Sequence, residues 1–142
     1  MGVAYFVTLE RDIDGLDTMM SGKALSSADF EDKCEKTITR IAQELGITPL
    51  TDFLSFSLDT ILGHMELTRE EAPQNVIDNI KPEEWFDPGD GIASASALIS
   101  FLTEHPTVTP NVKWVISDLE EIIRILTVAQ ENGVRWHLEI DV

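Results

Sequence analysis

The residues best suited to chemistry in this chain are gathered in one short run, Trp85-Phe86-Asp87-Pro88-Gly89-Asp90-Gly91. Two carboxylates three positions apart offer oxygen ligands to a hard cation, and the glycines at 89 and 91 admit close backbone approach. The spacing is not that of a calcium loop, and the sequence names no distant partner ligand. The same residues also read as helix punctuation. Aspartate is a favoured N-cap, proline suits the first helical position, and an acid three residues on complements the positive end of the helix dipole. Capping accounts for Asp87, Pro88 and Asp90 together and is the preferred reading. Trp85 and Phe86 then anchor the start of the helix.

Three histidines, His64, His105 and His137, are scattered, and no two stand four apart as a zinc-binding helix requires. His137 and Glu139 are two apart in an alternating segment, so on a strand they share a face. An acid–base pair of His137 with Glu139 or Asp141 in a cleft is the sharp reading. A solvated or helix-covered polar strand face is the preferred one, because charged strand faces are routine. Cys34 has the type of a nucleophile but falls on an apolar stripe, which suits a buried, inert thiol. Ser94, Ser96 and Ser100 lie in helical sequence rather than in a G-x-S-x-G elbow, and no phosphate loop or dinucleotide fingerprint is present. The sequence carries no enzyme signature and calls for no cofactor.

The elements that must position these residues follow from periodicity. Val3, Tyr5, Val7 and Leu9 alternate with Ala4, Phe6 and Thr8, and both sets are largely apolar, which predicts a covered or central strand. At the other end Val134, Trp136, Leu138, Ile140 and Val142 alternate with Arg135, His137, Glu139 and Asp141, predicting a strand with one apolar and one polar face. Two terminal strands separated by helical sequence are most economically placed side by side. Between them, Ser26 or Ser27 opens a helix with the stripe Phe30, Cys34, Ile38, Ile41 and Leu45, ended by Gly46. A short strand at Phe53 to Phe56 precedes a helical turn opening near Ser57. Residues 66 to 84, with Pro73 and Pro82, read as a connector holding at most short helices. A second helix ends at His105 and Pro106. A third runs from about Pro110 to Glu131 with the stripe Val112, Val115, Leu119, Ile122, Leu126 and Ala129, and Asn132-Gly133 stops it. No repeat or dividing linker appears, so the expectation is one α+β domain, a small sheet of the terminal strands packed by three main helices.

Composition bounds the function classes. The 142 residues include 26 acids and 10 Lys or Arg, a formal charge of −16 at pH 7. That balance argues against a general nucleic-acid binder, which needs clustered basic residues, and against adhesion to an anionic membrane surface. A chain of this length buries about 68% of its unfolded surface, enough for a core without staples. One cysteine allows no intramolecular disulfide. The first residues lack the pattern of a signal peptide, and no apolar stretch approaches the roughly 20 residues that span a bilayer. A protein of the reducing cytoplasm is the expectation. Of the three tryptophans, Trp136 reads as core, Trp114 as partly exposed, and Trp85 with Phe86 as the choice for a partner surface.

The opening Met1-Gly2-Val3-Ala4-Tyr5-Phe6 and the ending from Asp118 to Val142 resemble the YfbM-like family of small bacterial proteins. There too a short strand begins just after Met-Gly, and a long acidic helix leads through a glycine into a terminal strand. The resemblance covers the two ends and implies an α+β fold with adjacent termini. It brings no activity and no catalytic residue to this chain. The functional expectation is a non-catalytic protein-interaction or self-associating module. The alternative is a small-molecule or metal-dependent enzyme with a site near Asp87, Asp90 and His137.

Overall fold

The computed structural model describes residues 4–30 and 37–141. The readings placed on Gly2, Val3, Cys34 and Val142, and on the side chains of Phe30 and Asp141, lie outside what it describes. The fold is α+β, with the two terminal strands forming a small sheet against the helices. Strands β1 (Ala4–Leu9) and β2 (Trp136–Asp141) pair antiparallel, with Tyr5 opposite Ile140, Val7 opposite Leu138 and Thr8 opposite His137. Opposed residues share a face. Tyr5, Val7, Trp136 and Leu138 are buried and turn one face toward the core. Phe6, Thr8, His137 and Glu139 share the other.

Strand β2 is held along both edges. Beyond β1, Leu54 and Phe86 form isolated bridges to Leu138 and Trp136. Phe86 N–H donates to the Trp136 carbonyl at 2.7 Å and the Phe86 carbonyl accepts from Trp136 N–H at 3.0 Å. The strand expected at Phe53 to Phe56 is thereby reduced to one bridging residue after a 3-10 turn (Leu50–Phe53). Strand β1, expected to be covered or central, is the outer strand of the pair and is covered there. Its far edge is closed at Tyr5, whose N–H donates to the Gly22 carbonyl at 3.2 Å. Gly22 has φ +63°, and a Cβ there would stand 1.8 Å from the Tyr5 carbonyl oxygen. No other residue fits so close to the strand.

The helices are α1 (Lys23–Phe30), α2 (Thr37–Leu45), α3 (Leu58–His64), α4 (Gln74–Asn79), α5 (Pro88–Glu104) and α6 (Val112–Glu131). Helix α1 begins before Ser26, which is not its cap. Its Leu25 N–H donates instead to the Asp118 carboxylate of α6 at 3.1 Å, so a side chain 93 residues away satisfies one of the orphan donors of the first turn. On α2, Ile38 and Ile41 are buried as the stripe requires, but Leu45 is exposed. Ser57 caps α3 by accepting from Thr60 N–H at 3.1 Å. The connector holds the short α4 within 66–84. Helix α5 stops at His105, and α6 buries Val115, Leu119, Ile122, Leu126 and Ala129. It also buries Asp118, which the periodicity assigns to its polar face.

Candidate functional site

Asp87 sits where the chain leaves its bridge with β2 and turns into α5. Its Oδ1 accepts from Gly89 N–H at 2.8 Å, and Pro88 occupies the first turn with its missing donor at no cost. The Asp87 carbonyl accepts from the Trp136 indole N–H at 3.2 Å. Asp90 is exposed in the first turn of α5. The close approach that Gly91 permits is taken by the protein itself, since a Cβ there would lie 2.3 Å from the Trp136 ring. Asp87 is therefore a cap whose carboxylate is already engaged. Among the described residues, no group of three or more His, Cys, Asp or Glu side chains is placed to hold a metal ion.

His137 is not on a solvated face. It is completely buried, covered by the end of the connector rather than by a helix. Its Nε2 lies 2.6 Å from Glu83 Oε2, and its Nδ1 lies 3.3 Å from the Leu138 carbonyl oxygen. Both ring nitrogens thus face oxygen acceptors, and a ring carrying both N–H groups donates to each. Trp85 packs on the imidazole with centroids 4.6 Å apart and planes at 43°. The carboxylate partner is Glu83, not Glu139. Glu139 accepts instead from the Thr8 hydroxyl across the strand pair. With both nitrogens engaged and the ring closed to solvent, acid–base work at His137 would require Trp85 to swing away.

The aromatics divide in an unexpected way. Trp85 and Phe86 are half-buried and serve their own protein, Phe86 lying edge-on to Phe53 at 5.4 Å and 88°. The exposed indole is Trp114, 58% accessible, with Lys113 Nζ 5.4 Å from its ring centroid. Met19 is 79% accessible. Both line a groove of about 520 Å³ between α6 and the segment entering α1, together with Met20, Ala24, Asp118 and Glu121. No protein-family model matches this chain, and neither does any curated protein or solved structure. Function rests on the geometry of these side chains alone.

Two exposed ion pairs clasp the outside. Arg135 binds Glu10, and Glu10 N–H donates to the Arg135 carbonyl at 2.9 Å, joining the end of β1 to the residue before β2. Arg69 makes two contacts to Asp59, at 2.7 and 3.3 Å, tying the connector to α3. The hydrogen bond and charge of each guanidinium hold the Glu10 and Asp59 carboxyls below their usual range.

Glu83, Thr8 and the groove around Trp114 were not singled out by sequence reasoning. Glu83 carried one usable signal. It stands two residues before Trp85, so in an extended segment the two would approach the same face of β2. Nothing local distinguishes Asp118 from the other acids of α6.

Proposed function

We propose that this chain is a non-catalytic interaction module that receives a basic segment of a partner protein in the groove between α6 and residues 19–24. The observation that carries the reading is the pair Met19 and Trp114, the two most exposed large apolar side chains of the described residues, facing one groove. Exposed tryptophan and methionine are the types that dominate contact energy when an interface covers them. The occupant's sign follows from charge. At −16 per chain, two copies repel, whereas a basic partner is steered in by the net charge; the groove wall itself carries Lys23 beside the buried Asp118 and the Arg124-paired Glu121. Self-association is thereby the less favoured form of the same idea. The enzyme alternative draws no support from its residues, because Asp87 caps a helix and His137 is buried on Glu83.

The test uses a synthetic amphipathic lysine–leucine peptide titrated into the full chain at low salt, followed by tryptophan emission. Saturable binding that weakens with salt and disappears in Trp114→Ala supports the reading. No binding, or equal binding by Trp114→Ala, overturns it. Light scattering of the free protein separates the two forms, since a dimer abolished by Trp114→Ala would replace the basic partner with a second copy.

A further inference from the structure

A second groove, of about 740 Å³, lies on the other side of residues 18–23, alongside β1. This is the size range of small-molecule sites, and its walls combine apolar side chains with a few polar ones, as such sites do. Phe6 and Met20 supply apolar wall, and Glu139, Lys23 and His64 the titratable groups. Glu139 decides the chemistry. It is only 9% exposed, and one carboxylate oxygen is held by the Thr8 hydroxyl. The other oxygen makes no hydrogen bond or ion pair with any described residue. Among the described residues no fully buried side-chain oxygen or nitrogen lacks a partner. The free oxygen therefore keeps its contact with solvent, and the solvent it can reach is that of the groove Glu139 lines. A carboxylate nine-tenths buried with one open oxygen favours a cation that brings its own hydrogen-bond donors, because such a pair replaces lost hydration in a poorly screened place.

An ammonium group alone would leave Lys23 and His64 unused and would meet the positive charge of Lys23. A ligand that carries a carboxylate as well turns that repulsion into attraction. We propose that this groove binds a small zwitterion with an apolar body, its ammonium on the free oxygen of Glu139, its apolar part on Phe6 and Met20, and its carboxylate toward Lys23 and His64. The chemical class is that of the apolar amino acids and short apolar peptides, which share these three features. The groove shares Met19, Met20, Ser21 and Lys23 with the Trp114 groove, but Glu139 and Phe6, which carry this proposal, line this one and not the other, so Glu139→Gln tests it apart from the partner reading.

Calorimetric titration of the full chain with four probes tests this: L-leucine, the dipeptide Leu-Leu, hexylamine and hexanoate. One or both zwitterions bind, and the tighter of the two identifies the source, free amino acid or peptide. Hexylamine binds at least about tenfold more weakly than the better zwitterion and hexanoate not at all, the scale of one lost charged contact. Glu139→Gln keeps an oxygen for Thr8, so it retains the fold, and weakens the zwitterion by about tenfold or more; Lys23→Gln weakens it severalfold. Amide shifts of the unsubstituted protein on adding the better zwitterion map to Phe6, Thr60, His64 and Ile140, a readout that needs no variant. The proposal is overturned if neither zwitterion binds at millimolar concentration, if hexylamine or hexanoate binds as well, if Glu139→Gln binds equally, or if the shifts map elsewhere.

Discussion

Gly91→Ala is the sharpest probe of how this fold is assembled, because a single methyl enters the place where α5, α6 and β2 meet. An added Cβ would stand 2.3 Å from Cζ2 of Trp136, 2.9 Å from its Cε2, and 2.6 Å from Cδ1 of Leu126. Carbon atoms pack comfortably at about 3.5–4.0 Å, so one group or the other must retreat by roughly 1 Å. Neither is free to do so. Trp136 and Leu126 are fully buried, the indole lies 4.9 Å from Phe53, and its N–H is committed to the Asp87 carbonyl. Overpacking of this kind costs about 1–3 kcal/mol, and loosening the indole hydrogen bond adds about 1 kcal/mol. Alanine's better helix propensity returns roughly 0.5–1 kcal/mol. The net expectation is a loss of about 2 kcal/mol, or a Tm lower by roughly 6 °C for a domain of this size. Gly63→Ala in α3 is the matched control. A Cβ at Gly63 meets no heavy atom within 4 Å, so this substitution should stabilise by up to about 1 kcal/mol. Urea unfolding followed by tryptophan fluorescence and far-UV dichroism measures both. If Gly91→Ala is as stable as the parent, or if both substitutions move stability in the same direction, the close packing of α5 on Trp136 is wrong.

Other perturbations test the remaining contacts. His137→Leu removes the donor to Glu83 and one side of the Trp85 stack, and should cost about 1–3 kcal/mol with a shift in tryptophan emission; equal stability would make the pair energetically neutral. Asp118→Ala leaves Leu25 N–H without its acceptor in a buried place and should cost about 1–3 kcal/mol, read from the urea midpoint. Trp114→Ala, by contrast, should change stability by no more than about 0.5 kcal/mol, because the ring is exposed. The Glu10 carboxyl is held below its ordinary 4.5 in the folded state by Arg135, so its contribution is present above that value and is lost as pH falls through the folded one. Glu10→Gln should therefore be slightly less stable than the parent at neutral pH, with the difference fading in urea titrations run progressively below pH 4.5.

What could be read in the sequence was whatever depends on neighbours along the chain. The α5 start was legible because Asp87, Pro88 and Asp90 act on backbone groups within one turn of themselves. The α6 stripe was legible because its period matches the helix, and Ser57 because a cap works at three residues' distance. The strand pair was legible in existence but not in direction, since alternation says which face is apolar and nothing about which way the partner runs. The polar face of β2 misled for the same reason. Alternation marked His137 and Glu139 as facing away from the apolar face, which is true, and a polar face usually meets water. Here Glu83 and Trp85 cover it, and their approach is set by where the connector ends. The exposure of Trp114 was legible, but the groove it shares with Met19 was hidden, because a groove between two elements far apart in sequence has no periodicity.

The acids show the same limit more sharply, and they explain part of the charge. Asp118 reaches Leu25 across 93 positions, Glu139 reaches Thr8 across 131, and Glu83 reaches His137 across 54. Each would pass for a surface acid in its local context, yet each supplies an acceptor to a donor on a distant element. Asp118 and Glu139 are buried, and a buried carboxylate is expensive without such a donor and strongly destabilising if the donor is removed; Glu83, 27% exposed, is held less strictly. These three acids therefore penalise arrangements in which α1 leaves α6, β1 slips along β2, or the connector lifts from the sheet. A one-residue slip of β1 would take Thr8 off the face of Glu139 and turn Phe6 toward the core, so the carboxylate enforces the register that the apolar alternation also prefers. Most of the remaining described acids are exposed to water, where they make no comparable demand on the fold.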